Sequence, residues 1–527
     1  MPAAASARAV AAPMPDDAPV TTATRPASGP AAMAPCPIGS PPDPSTRGRM
    51  LDSAPAMFRS PRGRVRDLVV RLVGLLVVAA FVSLRVQVDV LLGSDGLLPA
   101  ARWLAATSSA TLLDAPTLFR LTGASDSMLH FAADAGIAAG LAATLGLAPR
   151  LAFVVAWALY LSFVTVGQDF FSFQWDNLLL ETLPIVAFLA PGGLRPRRAP
   201  SPHPVALLLG LGLLVRLHVE SGVAKLLGGD PTWRHLTAME LYYETAPLPT
   251  WVGWWAHQLP MAAQRATTFV VLAVEIGIAP LVLLPWRRIR VPAAAALVAV
   301  QLVIVATANY AFFNWLTLVL CLLALDDDDI ARLVAPSAAR GARPRTDVVA
   351  WVVGGAWLVV SVLPFARPQA LAPVTRAIAP FRSVNAYALF VHMTLVRDEI
   401  VIEGSYDGET WREYELRWKP GDPSRAPAFV APHQPRVDFQ CWFVPLSGRI
   451  PPWLTTVLAR VLSGDATVRT LFRVDPFDGR APRMVRVALW RYHFTDRPTR
   501  RATGAWWTRE LRGRGRAFEA GDLEHAR

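Results

Sequence analysis

Long apolar segments dominate the first two thirds of the chain and are separated by short polar loops. A helix needs about 20 apolar residues to cross the hydrocarbon core of a bilayer. Segments that meet or approach this length are residues 68–88, 128–147, 151–171, 178–193, 205–227, 267–285, 291–308, 315–325 and 348–366. The pattern predicts a polytopic α-helical membrane bundle of about nine spans, with a range of about 7–11.

After residue 366 the apolar pattern changes to the alternation of β-strands. EIVIEGSYDGETWREYELRW alternates apolar and polar residues on both sides of Asp407-Gly408, a dipeptide favoured in hairpin turns. MVRVALWRYHF also has strand character, whereas residues 453–462 have helical spacing. We expect a membrane domain over residues 58–366, followed by a β-rich α+β domain, sandwich-like in form, over residues 367–527.

Composition supports this division and excludes several kinds of site. Residues 1–57 are rich in Ala, Pro, Ser and Thr without an apolar period, so we expect a disordered tail. Charged residues make up only 17% of the chain, against about 25% in soluble proteins. Cys36, Cys321 and Cys441 are too few and too scattered for a disulfide framework or a metal quartet. We expect no metal and no cofactor.

The net charge of +12 reflects the placement of arginines around the predicted spans. Clusters lie at residues 59–66, 195–198, 287–290 and 340–345, and all fall on one face if the spans alternate. Cytoplasmic loops carry such clusters, so we expect a cytoplasmic N-terminus and no nucleic-acid partner. An odd number of spans then places the distal domain outside the cytoplasm.

Polar side chains lie within several predicted spans, where they are costly and usually face the protein interior. Arg85 and Asp89, Asn177 and Glu181, and Arg216 and Glu220 are each four residues apart, a spacing that allows neutralisation on one helix face. Glu275 has no nearby cation, and we expect Arg216 or Lys225 as its partner. The candidate functional membrane residues are Asp176, Asn177, Glu181, Arg216, Glu220, Lys225 and Glu275.

Residues 228–265 form a loop dense in Trp, Tyr and Pro, which we place on the external side of the membrane. Aromatic residues at helix ends often form an interfacial belt, and the same surface could be a groove for a partner. Asp230 precedes Pro231 and suits a helix start. The candidate residues of this loop are Asp230, Trp233, Tyr242, Tyr243, Glu244 and His257.

Six stretches spread over most of the chain form a specific set of motifs. They are SDGLLP at Ser94, FQWDNLLLE at Phe173, ESGVAKLLGGDPTWRHLTAMELYYETAPLPTW at Glu220, ANYAFFN at Ala308, EIVIEGSYDGETWREYELRWKPGD at Glu399 and APHQPRVDFQCWF at Ala431. Together these stretches resemble the lipase maturation factor family. The resemblance implies a membrane-anchored factor that helps secreted lipases to fold and assemble, without catalytic chemistry of its own. It implies an endoplasmic reticulum membrane in a eukaryote and the inner membrane in a bacterium.

In this interpretation the distal domain and the external loop contact a folding lipase, while the spans contact the lipid bilayer. Aromatic side chains of the distal domain could cover apolar surface that the client exposes, although we expect at least half of them to fill the domain's own core. The candidate client-binding residues are Glu403, Asp407, Trp411, Tyr414, Trp418, Lys419, His433, Arg436 and Trp442. The oligomeric state stays open.

Two other functions compete with this one. A membrane-embedded enzyme could use Glu181, Glu220, His218, Lys225 and His257, and the helical half is weakly similar to the bundle of the vitamin K-dependent carboxylase. However, the chain contains no GxSxG, HExxH, CxxC or GxGxxG motif. A transporter would need broken helices around a central charged site, and no internal repeat is visible.

Overall fold

The computed structural model describes residues 62–196, 201–332 and 348–526. The expected tail over residues 1–57 lies outside these ranges, as does the arginine cluster at residues 340–345. The helices of the membrane half are α1 (Gly63–Arg85), α2 (Val88–Leu92), α3 (Ala100–Ala106), α4 (Phe119–Thr122), α5 (Asp126–Leu145), α6 (Pro149–Val166), α7 (Gln174–Leu189), α8 (Pro204–Leu227), α9 (Pro231–Arg234), α10 (Ala238–Thr245), α11 (Trp251–His257), α12 (Met261–Leu272), α13 (Arg287–Thr307), α14 (Phe313–Cys321) and α15 (Val348–Ala366).

Within the described residues, seven helices are long and apolar enough to cross a membrane. They are α1, α5, α6, α8, α13, α15 and the continuous helix Met261–Leu283, in which α12 runs into a π-helical stretch (Ala273–Ile278) and a 3-10 turn (Ala279–Leu283). The shorter α7 and α14 cover the remaining two apolar segments. The chain therefore has a multi-pass helical membrane half.

Small residues allow close contact between α1 and α5. A Cβ atom added to Gly74 would lie 2.6 Å from the Thr144 amide nitrogen, and one added to Gly140 would lie 2.8 Å from the Val78 nitrogen. Glycine at such crossings lets helix backbones approach, which favours association in a bilayer where no hydrophobic effect separates helices from lipid.

An ion-pair cluster ties together the helix ends on one side of the bundle. Arg62, immediately before α1, and Arg290, in the first turn of α13, both contact Asp326 after α14, at 2.7 and 2.8 Å. Asp327 accepts hydrogen bonds from the backbone nitrogens of Arg64 and Val65 at 2.9 and 3.0 Å, so it caps α1. The acidic residues thus neutralise the arginines of the same face.

The distal half contains one five-stranded antiparallel sheet in the order β3-β2-β1-β4-β5. Its strands are β1 (Arg397–Ser405), β2 (Arg412–Leu416), β3 (Phe472–Val474), β4 (Met484–Phe494) and β5 (Trp507–Arg514). The helices after residue 366 are α16 (Ala372–Ile378), α17 (Arg436–Cys441), α18 (Phe443–Ser447), α19 (Pro452–Leu462), α20 (Ala466–Arg469) and α21 (Arg497–Thr503). The described residues contain no second sheet facing the first.

The predicted hairpin is present, but its turn is longer than Asp407-Gly408 suggests. Strands β1 and β2 pair with Ile402 opposite Tyr414 and Gly404 opposite Arg412, which leaves a six-residue loop. The Asp407 carboxylate accepts hydrogen bonds from the amides of Glu409 and Thr410 at 2.8 and 2.7 Å. These bonds lower the pKa of Asp407 and assign it a turn-stabilising role.

The distal half packs on the end of the bundle that lies opposite the ion-pair cluster. Arg62 in that cluster precedes α1, whereas Ser83 and Gln87 near the other end of α1 contact residues 433–436. The 23 residues of α1 separate these ends by about 35 Å. The distal half also contacts the bundle near Phe170, Asp230 and Asn309.

Candidate functional site

The polar side chains of the bundle gather around one non-helical segment, residues 383–393, which connects the membrane half to β1. We call these residues the inserted segment. They run beside α8 from the level of Arg216 to Asp230, which follows this helix. Backbone without regular hydrogen bonding is tolerated at membrane depth only when protein groups satisfy it. The charged residues of the bundle meet this need.

Arg216, Glu181 and Glu220 bind the deep end of the inserted segment. Arg216 contacts Glu181 at 2.6 Å and Glu220 at 3.0 Å, and its guanidinium donates to the Asn385 carbonyl. Glu181 accepts from the Asn385 amide nitrogen at 3.0 Å and from the Tyr387 hydroxyl at 2.9 Å. Glu220 accepts from the Tyr387 amide nitrogen at 2.9 Å. Each carboxylate therefore serves both a cation and the inserted backbone.

The other end of the inserted segment is held by the start of the external loop. Asp230 caps α9 through the Thr232 nitrogen and accepts from the Met393 nitrogen at 2.6 Å. These bonds outweigh the effect of burial and lower the pKa of Asp230. The Trp233 indole donates to the Phe390 carbonyl at 2.9 Å. The predicted helix start at Asp230 is present and also anchors the connection between the two halves.

A second buried contact joins α17 of the distal half to the start of α7. Arg436 lies 2.8 Å from Asp176, and both side chains are almost inaccessible to solvent. Arg436 also donates to the Phe170 carbonyl at 2.5 Å and lies 3.6 Å from the centre of the Phe171 ring. The Tyr160 hydroxyl donates to Asp176 at 2.6 Å. Asp176 is thus a docking site for the distal half within the bundle.

Backbone groups of the distal half are recognised by amide side chains of the bundle. Asn309 donates to the Ala428 carbonyl at 2.9 Å and accepts from the Val430 nitrogen at 2.7 Å. Gln87 donates to the Gln434 carbonyl at 2.8 Å and accepts from the Arg436 nitrogen at 3.0 Å. The Pro-rich loop over residues 419–436 is therefore ordered against the bundle.

The remaining membrane candidates form separate pairs. Glu275 lies 2.7 Å from Lys225, so its partner is Lys225 and not Arg216. Asn177 accepts a hydrogen bond from Arg382 at 3.2 Å. Arg85 and Asp89 do not pair, which corrects the expectation from their spacing: Arg85 contacts Asp134, and Asp89 contacts His130. The reason is local, because α1 ends at Arg85 and a new helix begins at Val88.

The external loop is partly an interface within the chain and partly an exposed aromatic surface. Glu244 accepts from the Phe494 nitrogen of β4 at 2.8 Å and lies 3.8 Å from His257. Tyr242 and Tyr243 are buried, and the Tyr242 ring packs edge-on against Phe390 of the inserted segment. Elsewhere in the loop, Trp254 packs against Trp506, whereas Trp251 and Trp255 are exposed.

Four of the nine proposed client-binding side chains are buried, and four others are half-buried. Tyr414 and Lys419 are buried, and the Trp442 indole donates to the Thr245 carbonyl of the external loop at 3.0 Å. The Trp418 ring packs against the His433 ring. The guanidinium carbon of Arg486 lies 3.8 Å from the centre of the Trp411 ring.

Two acidic members of the client-binding set differ in their surroundings. Glu403 is buried and pairs with Arg486 at 2.6 Å, whereas Asp407 is exposed. Of the four aromatic candidates, Tyr414 is buried in the core, whereas Trp411, Trp418 and Trp442 are half-buried.

Ionisable groups at the base of the sheet also have structural partners. Glu399 lies between Arg397 at 2.7 Å and Lys419 at 2.9 Å. Burial acts to lower the pKa of Lys419, but the Glu399 carboxylate outweighs it and the pKa is raised. Arg397 donates to the Ala246 carbonyl at 2.5 Å and to the Pro247 carbonyl at 3.0 Å, which fixes the sheet to the external loop.

Comparison with known proteins identifies this two-part architecture. The family model described as "Lipase maturation factor transmembrane domain" matches residues 64–332, and the one described as "Lipase maturation factor C-terminal domain" matches residues 383–516. The chain belongs to the lipase maturation factor family. The boundary of the second family domain falls at the start of the inserted segment.

Curated relatives of the family are similar over four fifths or more of their length. "Lipase maturation factor 2" of Gallus gallus is 32% identical, over 85% of this chain and 80% of the relative. "Lipase maturation factor 2" of Homo sapiens is 30% identical, over 84% and 81%. "Lipase maturation factor 1" of Bos taurus is 31% identical, over 89% and 91%. No solved structure matches the chain.

The ionisable groups considered for a membrane-embedded enzyme have partners within the protein. Glu181 and Glu220 are engaged with Arg216 and backbone amides, Lys225 is engaged with Glu275, and His218 hydrogen-bonds to the Leu214 carbonyl at 2.8 Å. The described residues contain no group of three or more His, Cys, Asp or Glu placed to hold a metal. The alternative of a carboxylase-like membrane enzyme has no support from the relatives.

Sequence reasoning missed the residues that complete the interface. Asn385 and Tyr387 lie in a stretch without apolar period, and Arg397 begins a strand, so nothing marks them as partners of membrane residues. Asn309 offered a signal, because a polar amide at the end of an apolar segment needs hydrogen-bond partners.

Proposed function

We propose that this chain is a membrane-anchored maturation factor that assists the folding and assembly of secreted lipases into active enzymes. The observation that carries the proposal is the match of both family domains, together with relatives named lipase maturation factors along most of the chain. The extensive contacts between the halves support a rigid mount for the distal half rather than a tethered one. The client is a secreted lipase, and the protein acts on it without a cofactor.

For topology we propose nine crossings, with the distal half outside the cytoplasm. The support is that α7 and α14 cover the two segments that are short for a span, and that α7 is largely buried inside the bundle. The distal half contacts the ends of the bundle near Gln87, Phe170, Asp230 and Asn309, which belong to the loops that lack arginine clusters. We retain residues 58–366 and 367–527 as the two domains.

We place the client contact on exposed apolar side chains of the distal half. Phe443, Leu446 and Ile450 are exposed within eight consecutive residues around α18, and Phe443 stacks on Phe173 of the membrane half. A folding lipase exposes apolar surface before it is complete, and a patch held beside the membrane could cover it. Single exposed apolar residues elsewhere need no such explanation. The earlier candidates Trp411, Tyr414, Trp418 and Trp442 serve the fold that presents this patch.

Gene deletion with complementation tests the proposed function. Cells without the protein should synthesise their secreted lipases at the normal rate. The activity per lipase molecule should be lower, and more of the lipase should be insoluble. The full chain should restore the activity, whereas a version that ends at Ala366 should not. Normal specific activity in the deletion strain, for every lipase that the cell secretes, would rule out the proposal.

A further inference from the structure

A cavity of about 660 Å³ lies inside the half of the bundle that is nearer the distal sheet. Ligand pockets typically occupy about 300–1,000 Å³. Its walls come from α8, α12, α13 and α14, from residues 388–392 of the inserted segment, and from the distal side chains Phe439, Trp442 and Phe443. The cavity is thus bounded by both halves of the protein and by their connection.

The cavity opens sideways between the helix Met261–Leu283 and α13. Val270 and Val303 both line it, and these side chains are 47% and 49% exposed at the surface of two candidate spans. Val270 lies nine residues into the helix Met261–Leu283, and Val303 lies four residues before the end of α13, so both lie within spans whose outer faces contact hydrocarbon and not water. The groups that can reach this opening are therefore the acyl chains of the surrounding lipids.

The depth of the cavity matches the path of a lipid chain. Its wall on α8 runs from Leu217 to Lys225, which is about 12 Å along the helix axis. Lys225 lies near the end of α8 that faces the distal half, and Leu217 lies near the middle of the helix. A chain that enters from this leaflet extends in the same direction, from the interface towards the bilayer centre.

Polar groups in the wall already have partners, so they do not call for a charged ligand. Lys225 holds Glu275 at 2.7 Å. His218 is 3.2 Å from the Gln301 amide nitrogen, and Asn314 donates to the Gln301 oxygen at 2.7 Å. A phosphate or carboxylate at this depth would have to displace Glu275 from Lys225. The rest of the lining is predominantly aliphatic and aromatic, which suits an uncharged chain.

We propose that this cavity binds one acyl chain of a bilayer phospholipid, which enters between the helix Met261–Leu283 and α13. The bound chain contacts Phe390 of the inserted segment and Trp442 of the distal half. Binding there stabilises the docked arrangement of the two halves, because a ligand stabilises the state that holds it. This site goes beyond the proposed function and does not depend on the identity of the client.

Photocrosslinking in vesicles tests the site. The full chain is reconstituted in phosphatidylcholine vesicles that contain a phosphatidylcholine with a diazirine on one acyl chain, and the irradiated protein is digested and analysed by mass spectrometry. Adducts are expected on lining residues of α12 and α13, such as Val271 and Val300. Adducts found only on outward-facing residues such as Leu302 would show annular lipid alone and would overturn the proposal.

Cavity-filling variants sharpen the test. Val300→Trp and Val271→Trp each place a large side chain in the cavity, from two different walls. Each variant should lower crosslinking to the remaining lining residues by about tenfold. A loss of this size is within the free-energy cost of overfilling a packed site. Leu302→Trp is the matched control, since Leu302 is 49% exposed on the same helix and does not line the cavity. Each variant is first checked for an unchanged melting temperature in detergent.

Equal crosslinking in the folded filling variants and in Leu302→Trp would contradict the inference. A parallel sample uses a diazirine-bearing free fatty acid in place of the phospholipid. Labelling of the lining by the fatty acid alone would also overturn it, because the proposed occupant is a phospholipid chain. Neither result would affect the lipase assay, so failure here is distinguishable from failure of the proposed function.

Discussion

Arg436 of the distal half places its Nη2 2.8 Å from Oδ1 of Asp176 and its Nη1 3.0 Å from Oδ2, in a bidentate contact at the start of α7. The side-chain exposures are only 2% and 0%. Such a pair needs both partners, because either charge left alone in the interior is strongly unfavourable. Arg436 of the distal half is therefore buried inside the membrane bundle, and this contact joins the two halves rigidly.

The first prediction concerns this contact. Arg436→Gln leaves Asp176 buried without its cation, which should cost about 3–5 kcal/mol of docking free energy. Limited trypsin digestion of the protein in detergent should then release distal fragments much faster than in the native chain. Arg449→Gln is the control, since Arg449 is exposed near α18. Equal digestion rates for the two variants would mean that the Arg436–Asp176 pair does not hold the halves together.

The second prediction ranks the two carboxylates that bind the inserted segment. Glu181→Ala removes the acceptor of four contacts, including Arg216 and Tyr387, and should cost about 3–5 kcal/mol. Glu220→Ala leaves Arg216 paired with Glu181 and mainly strands the Tyr387 amide, at about 1–3 kcal/mol. Thermal melting in detergent should show the larger decrease for Glu181→Ala.

A control for this ranking is Glu409→Ala, which changes an exposed carboxylate of the β1–β2 loop. Its melting temperature should match that of the native protein. Addition of Arg216→Ala to Glu181→Ala should recover part of the loss, because the uncompensated cation is then absent. A Glu220→Ala variant that melts well below Glu181→Ala would show that the contacts of the inserted segment have been weighted wrongly.

The third prediction is a pH dependence of docking. Burial lowers the pKa of His257 from about 6.5, with Glu244 opposing and His493 adding to the shift, and burial together with Arg436 lowers the pKa of His433. A histidine whose pKa is depressed in the folded state binds fewer protons than in the unfolded state. Stability is then full above pH 6.5 or so and falls as the pH drops through the folded pKa values.

Melting temperature is the suitable measurement for this pH dependence. Tryptic release of the distal half is not, because the activity of trypsin also changes with pH. The native protein should lose melting temperature as the pH falls below about 6.5. His257→Gln and His433→Gln together should flatten this part of the profile. An identical slope in the double variant would assign the pH dependence to other groups.

The fourth prediction is the side of the membrane on which the distal half lies. A cysteine introduced at Arg449, in a background with Cys36→Ser, should react with a membrane-impermeant maleimide added from the outside of intact cells or, in microsomes, only after the membrane is opened. Cys321 and Cys441 are buried and should stay silent. Labelling only from the cytoplasmic side would show that the distal half lies in the cytoplasm and that the proposed odd number of crossings is wrong.

Sequence alone predicted the helices and the longest strand well, for physical reasons. Apolar length is imposed by the bilayer, so each segment that met this requirement contains a helix. MVRVALWRYHF coincides with β4 because alternation is strong over its whole length. By contrast, the spacing of Arg85 and Asp89 suggested a pair that a helix break prevents.

The site was predicted less completely, because its contacts join residues far apart in the chain. The sequence marked Glu181, Glu220 and Asp176 as unusual in a membrane, but their partners Asn385, Tyr387 and Arg436 are 160 or more residues away. Nor could the sequence show that the Trp442 indole hydrogen-bonds to the external loop. Such assignments depend on tertiary packing, which local periodicity does not encode.

The most direct measurement of the central claim is the recovery of active lipase in a reconstituted system. A secreted lipase from the same cell is unfolded and then refolded beside liposomes that carry the full chain, with empty liposomes and liposomes carrying Arg436→Gln as controls. The maturation function predicts a higher activity per lipase molecule and less aggregate with the native protein than with either control. Equal activity with the native protein and with empty liposomes, for each secreted lipase of the cell, would contradict it.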